Sequence, residues 1–171
     1  MDDDELIEQI KQGNEKAAEE LILRYYPAIL RFCKWNCKNP QKAEDITQET
    51  FFKFIKNLPV YRSKKKFRTY LYTIAKHLCI DENRKPICCS LENDKSLPDA
   101  CNDMRQIEDR EDVKALLQLL SEKQREAVIL RFGEQLSYRE MEIITGCNMR
   151  TLQSRVKKAL EIMRKESRYE R

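Results

Sequence analysis

Asp45, Gln48, Glu49 and Phe52 are spaced i, i+3, i+4 and i+7, so any helix that carries them presents them on one face. The two carboxylates could serve as an acid–base pair. The surrounding sequence supplies no nucleophile, no metal-ligand set and no oxyanion donor, so no catalytic residue is expected here. A phenylalanine beside two carboxylates fits a partner surface better, with the ring as anchor and the charges as an orienting rim. Spacing alone leaves a second reading open, in which Phe52 packs under a neighbouring helix.

Two further stretches carry chemistry. Tyr61, Arg62, Lys64, Lys65, Lys66, Phe67, Arg68, Tyr70, Tyr72, Lys76 and His77 interleave cations with aromatics. Cations follow a phosphate backbone and aromatic rings stack on unpaired bases, so this is a composition for single-stranded or opened DNA. On a helix, Thr69, Tyr72, Thr73, Lys76 and, at the flank, His77 are expected outward, with Phe67 and Tyr70 available to the core. Near the other end, Met149, Leu152, Val156, Ala159, Leu160 and Met163 form an apolar stripe. Burying it turns Arg150, Thr151, Gln153, Ser154, Lys157 and Lys158 outward. Arg and Gln can pair with base edges in a major groove, while Ser, Thr and Lys hold phosphates. The plainer alternative is an amphipathic helix with a solvated basic face.

These residues sit in a chain of 171 residues, 36% charged and 41% hydrophobic, with only three glycines and five prolines. So few turn residues argue for helices. A single histidine, no phosphate-cradling glycine loop and no HExxH pair count against hydrolytic and phosphate chemistry. No cofactor, metal or small-molecule substrate is expected. No apolar run approaches the span of a bilayer, and the N-terminus is acidic where a secretory signal is basic, so a cytoplasmic protein without direct membrane insertion is expected. The seven cysteines read as buried or incidental thiols in a reducing compartment, with redox sensing or adventitious metal binding as the alternative. Charge is blocked along the chain. Residues 53–85 hold 10 basic and 2 acidic residues, and 148–171 hold 8 and 3. Residues 86–112 hold 3 basic and 8 acidic. Two separated basic blocks suggest two contacts with a polyanion.

The elements that must position these residues are helices throughout. Asn14 can cap a helix with Ala17, Leu21 and Tyr25 on one stripe, and Pro27 kinks or restarts it. Asn39-Pro40 opens another helix, in which Ala43, Ile46, Thr50, Phe51, Phe54 and Leu58 face inward. After a 60–66 loop comes a helix from about Phe67 to Lys85, with Phe67, Leu71, Ile74 and Leu78 inward. Residues 87–111, acidic and without periodicity, read as a linker. Val113, Leu116, Leu117 and Leu120 begin the second half. Ser121 with Gln124 and Ser137 with Glu140 are capping boxes, the second flanked by Leu136 and Met141. Thr145-Gly146 ends that short helix and Asn148 caps the next. A short capped helix, a glycine turn and a longer basic helix have the form of a helix-turn-helix. The expected fold is all-α: two small helical domains, 1–86 and 112–171, joined by a flexible linker at 87–111.

Several motifs in order resemble the bacterial RNA polymerase sigma factors of the extracytoplasmic-function type. They are Asp45-Ile-Thr-Gln-Glu-Thr-Phe51, Phe67-Arg-Thr-Tyr-Leu-Tyr-Thr-Ile-Ala75, the run Leu119–Arg131, Leu136-Ser-Tyr-Arg-Glu-Met141 and Thr151-Leu-Gln-Ser-Arg155. The resemblance covers about residues 5–85 and 113–164. It implies that the segment with Asp45, Gln48 and Glu49 docks on the clamp helices of the largest subunit of core polymerase. It implies that Tyr61–Lys66 and the following helix melt and read the −10 element, capturing a flipped base. The last helix, Arg155 included, would read the −35 element as duplex DNA. The linker would thread the polymerase interior, its acids suiting a channel meant for RNA. An anti-sigma protein is the implied regulator. The chain departs from the family pattern at Tyr70 (commonly Trp), His77 (Asn), Glu142 (Ala), Arg150 (Gly) and Gln153 (basic), which bears on promoter sequence rather than on binding mode.

Three functions compete. One is a promoter-directing polymerase subunit. Another is a stand-alone helix-turn-helix regulator acting without core polymerase. A third is an interaction protein that binds no nucleic acid. The Asp45/Gln48/Glu49/Phe52 face and the basic–aromatic 60–77 segment favour the first, because a simple repressor needs neither.

Overall fold

The computed structural model describes residues 2–62, 66–86 and 112–169. Among them every regular element is helical. Residues 87–111, the expected linker, lie outside the described residues, as do Lys64 and Lys65. No helix among the described residues is long and apolar enough to cross a membrane.

The first domain has four α-helices: α1 (Asp3–Lys11), α2 (Glu15–Asn36), α3 (Ala43–Asn57) and α4 (Phe67–Arg84). Asn14 caps α2 as its residue type demands, its side-chain oxygen accepting from the backbone N–H groups of Lys16 and Ala17. Pro27 does not break α2, which runs through it for 22 residues. The lost backbone donor is tolerated because both flanks are anchored in the core by Leu21, Ile29, Phe32 and Cys33. Asn39 and Pro40 start a 3₁₀ turn, Pro40–Lys42, that leads into α3. The α3 stripe is buried as its spacing requires: Ala43, Ile46, Thr50, Phe51, Phe54 and the adjoining Leu58. Edge-to-face pairs knit the centre, with Phe67 4.8 Å from Phe54 and 5.2 Å from Tyr25.

In the second domain, residues 112–118 form helix α5, followed by α6 (Glu122–Val128), a π-turn (Ile129–Gly133), α7 (Tyr138–Thr145) and α8 (Met149–Tyr169). Both capping boxes form, Ser121 with Gln124 and Ser137 with Glu140. The staple residues Leu136 and Met141 are fully buried. Gly146 ends α7 in the left-handed region at φ 70°, which a residue without Cβ adopts at no steric cost. Asn148 accepts from the Thr151 N–H at 2.9 Å and starts α8. The α8 stripe is only partly as the spacing implies. Leu152, Val156 and Ala159 are buried, Leu160 and Met163 are half-buried, and Met149 is exposed. In α5, Leu117 and the following Leu120 face inward and Val113 does not.

The two domains pack together through α4 and α7. Leu71, Tyr72 and Ala75 of α4 share one buried cluster with Leu136, Met141 and Ile144. This explains a departure from the expected inward face of α4. Ile74 and Leu78 are only half-buried, whereas Thr69, Tyr72, Ala75 and Cys79 are buried. A helix covered on two sides buries a wider arc than its own apolar stripe indicates.

Candidate functional site

Three surfaces hold the residues singled out by type and spacing. On α3, Asp45, Gln48, Glu49 and Phe52 are all exposed, opposite the buried stripe. Phe52 keeps 63% of its surface in solvent, and the nearby Ile55 keeps 38%. Phe52 therefore does not pack under a neighbouring helix. Lys42 lies 3.9 Å from Asp45 at the edge of this face, a distance that leaves the carboxylate available.

The second surface is the start of α4 with the segment before it. Arg62, Lys66 and His77 are exposed, and Arg68, Thr73 and Lys76 are half-buried. Tyr61 is buried, its ring 4.9 Å from that of the half-buried Tyr70. Thr69 and Tyr72, expected outward, are 4% and 0% exposed. For Tyr72 the second domain contributes to this burial. Tyr72 packs edge-on to Phe32 within the first domain, while its hydroxyl donates to Glu134 Oε2 at 2.5 Å. Lys76 is paired with Glu126 of α6 at 2.7 Å.

The third surface is α8. Arg150, Gln153, Ser154, Lys157 and Lys158 are exposed, and Thr151 and Arg155 are half-buried. Arg155 leans back onto the Cys147 sulfur at 3.2 Å. A cleft between the start of α6 and this face is lined by Ser121, Lys123, Gln124, Arg150, Thr151, Ser154, Arg155 and Lys158. Sequence spacing does not mark Ser121 and Lys123 as part of this surface; they join the cleft because α6 packs against α8. Glu142 turns to solvent on the outer side of α7.

In the sequence Glu134 is no more than a residue at the end of a helix, yet its side chain is 1% exposed. Arg31 of α2 grips it with both arms of its guanidinium, Nε to Oε1 and Nη2 to Oε2, each at 2.9 Å. Arg68 donates to its main-chain oxygen. The Glu134 carboxylate holds the Arg31 guanidinium above its ordinary pKa, and burial, reinforced by the bond to Glu134, pushes the Tyr72 phenol up. Arg31 lies within the apolar run Ala28–Cys33, and a cation in such a run is a faint sign of a partner elsewhere; no spacing rule names Glu134 as that partner.

Among the described residues no group of histidine, cysteine and carboxylate side chains could hold a metal ion. Cys33, Cys37 and Cys79 are buried free thiols and Cys147 is half-buried; Cys88, Cys89 and Cys101 lie outside the described residues.

An all-helical chain with a helix-turn-helix on one module and an acidic, aromatic-bearing helix face on the other is a DNA-binding protein built to work with a second protein. Comparison with known proteins narrows this class to one family. Residues 21–85 match the model of sigma-70 region 2, and residues 110–163 that of sigma-70 region 4. The sequence is 30% identical to the ECF RNA polymerase sigma factor SigC of Mycobacterium tuberculosis, over 89% of this chain and 84% of that protein. It is 29% identical to the RNA polymerase sigma-H factor of Pseudomonas aeruginosa, over 95% of this chain and 92% of the other. Among solved structures, the sigma factor RpoE of Bartonella quintana, in complex with the anti-sigma factor NepR, superposes with a TM-score of 0.72 at 26% identity, covering 90% of this chain and 98% of the other. The chain belongs to the extracytoplasmic-function group of the sigma-70 family, the promoter-recognising subunits of bacterial RNA polymerase.

Proposed function

We propose that this sigma factor divides its work among the three surfaces. The α3 face with Asp45, Gln48, Glu49 and Phe52 docks on core RNA polymerase, at the clamp helices of its largest subunit. Tyr61, Arg62, Lys64, Lys65, Lys66 and the α4 residues Arg68, Thr69, Tyr72, Thr73, Lys76 and His77 open and read the −10 element. Arg150, Thr151, Gln153, Ser154, Arg155, Lys157 and Lys158 meet the −35 element as duplex DNA. The protein works in the cytoplasm, without catalysis of its own, and an anti-sigma protein is its regulator, as NepR is the partner of the Bartonella relative.

The observation that carries this reading is the α3 face. Phe52 stays 63% exposed one turn from Glu49 although its helix has a well-filled core side. An exposed aromatic on a polar helix face is an anchor for a partner protein, and a regulator that acts on DNA alone has no use for one. The test is transcription in vitro. Core polymerase supplemented with this protein should start transcripts at a subset of promoters on genomic DNA. Failure to produce any transcript with a matched core enzyme counts against the assignment.

A further inference from the structure

We propose that Cys37 and Cys79 are a redox pair, which a small hydroperoxide joins in a disulfide that staples α2 to α4. The site lies in the first domain and is independent of the polymerase and promoter assignments made above.

Three thiols meet between these helices. Cys33 and Cys37 are one turn apart at the end of α2, and Cys79 of α4 is in hydrogen-bonding contact with both. The sulfurs of Cys37 and Cys79 are 3.3 Å apart. Asn83, one turn beyond Cys79, holds the chain on both sides of Cys37. Its Nδ2 donates to the Asn36 carbonyl and its Oδ1 accepts from the Lys38 N–H, each at 2.8 Å. A disulfide needs its sulfurs about 2.05 Å apart, so the approach still required is short. The backbone that carries one sulfur is already tied to the helix that carries the other, and this raises their effective concentration. Cys33 is the less suited partner, because its thiol is also engaged by Thr47.

Access sets the order of events. Cys37 is 7% exposed, Cys79 2% and Cys33 0%. Cys37 is the capping residue where α2 ends, and a hydroperoxide as small as hydrogen peroxide reaches its sulfur where a bulkier alkylating reagent does not. The Cys37 sulfur, as thiolate, attacks the peroxide. An S–O bond forms, the O–O bond breaks, and the departing hydroxide takes up the proton shed by Cys37, leaving a sulfenic acid. The Cys79 sulfur then attacks the sulfenic sulfur. The S–S bond forms, the S–O bond breaks, and the proton of Cys79 leaves with the hydroxide as water. Two thiols give up two electrons, and one hydrogen peroxide becomes two waters.

The new bond spans 42 positions of the chain, a length over which a cross-link strongly restricts the unfolded state. None of the three thiols lies on α3, so the face with Asp45, Gln48, Glu49 and Phe52 carries no reacting group. Oxidation at this site therefore strengthens the first domain.

The test treats the full-length reduced protein with hydrogen peroxide, blocks the remaining thiols with N-ethylmaleimide in denaturant, and maps non-reduced tryptic peptides by mass spectrometry. Trypsin separates the three thiols into residues 32–34, 35–38 and 77–84. The cross-link of 35–38 to 77–84 should exceed any other link to either peptide by about tenfold. The urea midpoint of the oxidised protein should rise by about 1 M, return on treatment with dithiothreitol, and not rise in Cys37→Ser. Absence of the cross-link while Cys88, Cys89 or Cys101 is oxidised overturns the pair, and so does a predominant link of 77–84 to 32–34. Equal yield of the cross-link when the chain is oxidised in denaturing urea would show that the fold does not select it, which also overturns the proposal. An unchanged midpoint in cross-linked protein overturns the staple. The mapping uses the wild-type chain, so it decides even if Cys37→Ser fails to fold.

Discussion

The sulfur of Cys37, at the C-terminal cap of α2, lies 3.3 Å from the sulfur of Cys79 in α4, both out of solvent. The contact ties the end of one core helix to the middle of another. Its hydrogen bonding with Cys33 and Cys37, in which Cys79 keeps the proton, together with burial, pushes the Cys79 thiol far up, so it stays protonated at neutral pH. Thiolate is the reactive form, and Cys33 and Cys37 are protected by burial alone. Alkylation of the native protein with iodoacetamide should therefore modify Cys33, Cys37 and Cys79 at least about 100-fold more slowly than the denatured chain, because access requires opening a core worth about 5 kcal/mol or more. Peptide mapping by mass spectrometry gives the rates. Fast labelling of Cys79 in the native state would mean the α2–α4 contact is not a settled part of the core.

The α3 face yields a separation of functions. Asp45→Ala with Glu49→Ala should weaken binding to core polymerase about tenfold, and Phe52→Ala by a similar factor, since anchors at protein interfaces carry about 1–2 kcal/mol or more each. All three side chains are exposed, so folding is untouched and −35 duplex binding should be preserved. Fluorescence titration with labelled core enzyme, beside a gel shift on duplex DNA, checks both halves. Equal loss of the two activities would mean that the face is misassigned.

The same helices mark how far local sequence pattern reaches. Helix α3 is readable in full because its apolar residues recur at helical spacing over four turns and its outer face carries an aromatic that nothing nearby covers. The helix-turn-helix is readable because serine caps and a glycine stop are local rules with local causes, and Ser121, Ser137, Gly146 and Asn148 all obey them. Helix α4 is not. Its periodicity describes packing within the first domain, whereas Tyr72 bonds to Glu134, 62 positions away. Glu134 is invisible for the same reason: a carboxylate after a helix end is an ordinary surface residue until Arg31, 103 positions earlier, is brought to it. Local pattern predicts local burial, and contacts between domains leave no period to read.

Gly146 allows a test of the turn between α7 and α8. It sits at φ 70°, and a Cβ placed there would meet nothing within 4 Å. Any loss on Gly146→Ala is therefore backbone strain and not a clash, about 1–2 kcal/mol. Ser137→Ala removes the cap at the other end of α7 and should cost about 1 kcal/mol. Urea denaturation followed by circular dichroism reads both. If Gly146→Ala is neutral, the left-handed turn is not required.

On α8, Gln153 and Lys157 are exposed one turn apart. A glutamine can pair with an adenine edge, whereas a lysine at this depth holds a phosphate. Gln153→Ala should relax preference at one −35 position by about 1–3 kcal/mol of discrimination, and Lys157→Ala should weaken all sequences alike and lower the salt slope by about one. Competition binding with a library of duplexes at two salt concentrations distinguishes them. A sequence-specific effect from Lys157→Ala alone would exchange the two roles.

The bond from Tyr72 to Glu134 predicts a pH dependence of stability whose sign follows from the raised phenol. A tyrosine in the unfolded chain ionises near pH 10, and Tyr72 in the folded protein only well above that. Between those values the unfolded chain holds fewer protons than the folded one, so stability falls as pH rises. The contribution is fully present below about pH 10 and is lost above it at about 1.4 kcal/mol per pH unit. Tyr72→Phe keeps the ring that packs on Phe32 and removes only the hydroxyl. At pH 8 it should cost about 1–2 kcal/mol, the worth of a hydrogen bond to a charged group. Above pH 10 the wild type loses stability on account of Tyr72 and the variant does not, so the gap between them should close. Tyr25, raised by burial and its bond to Asp3, titrates alike in both proteins and cancels in the comparison. Urea midpoints measured from pH 8 to pH 11 supply the test. A gap that stays constant or widens with pH would show that the Tyr72 hydroxyl does not donate to Glu134 in the folded state.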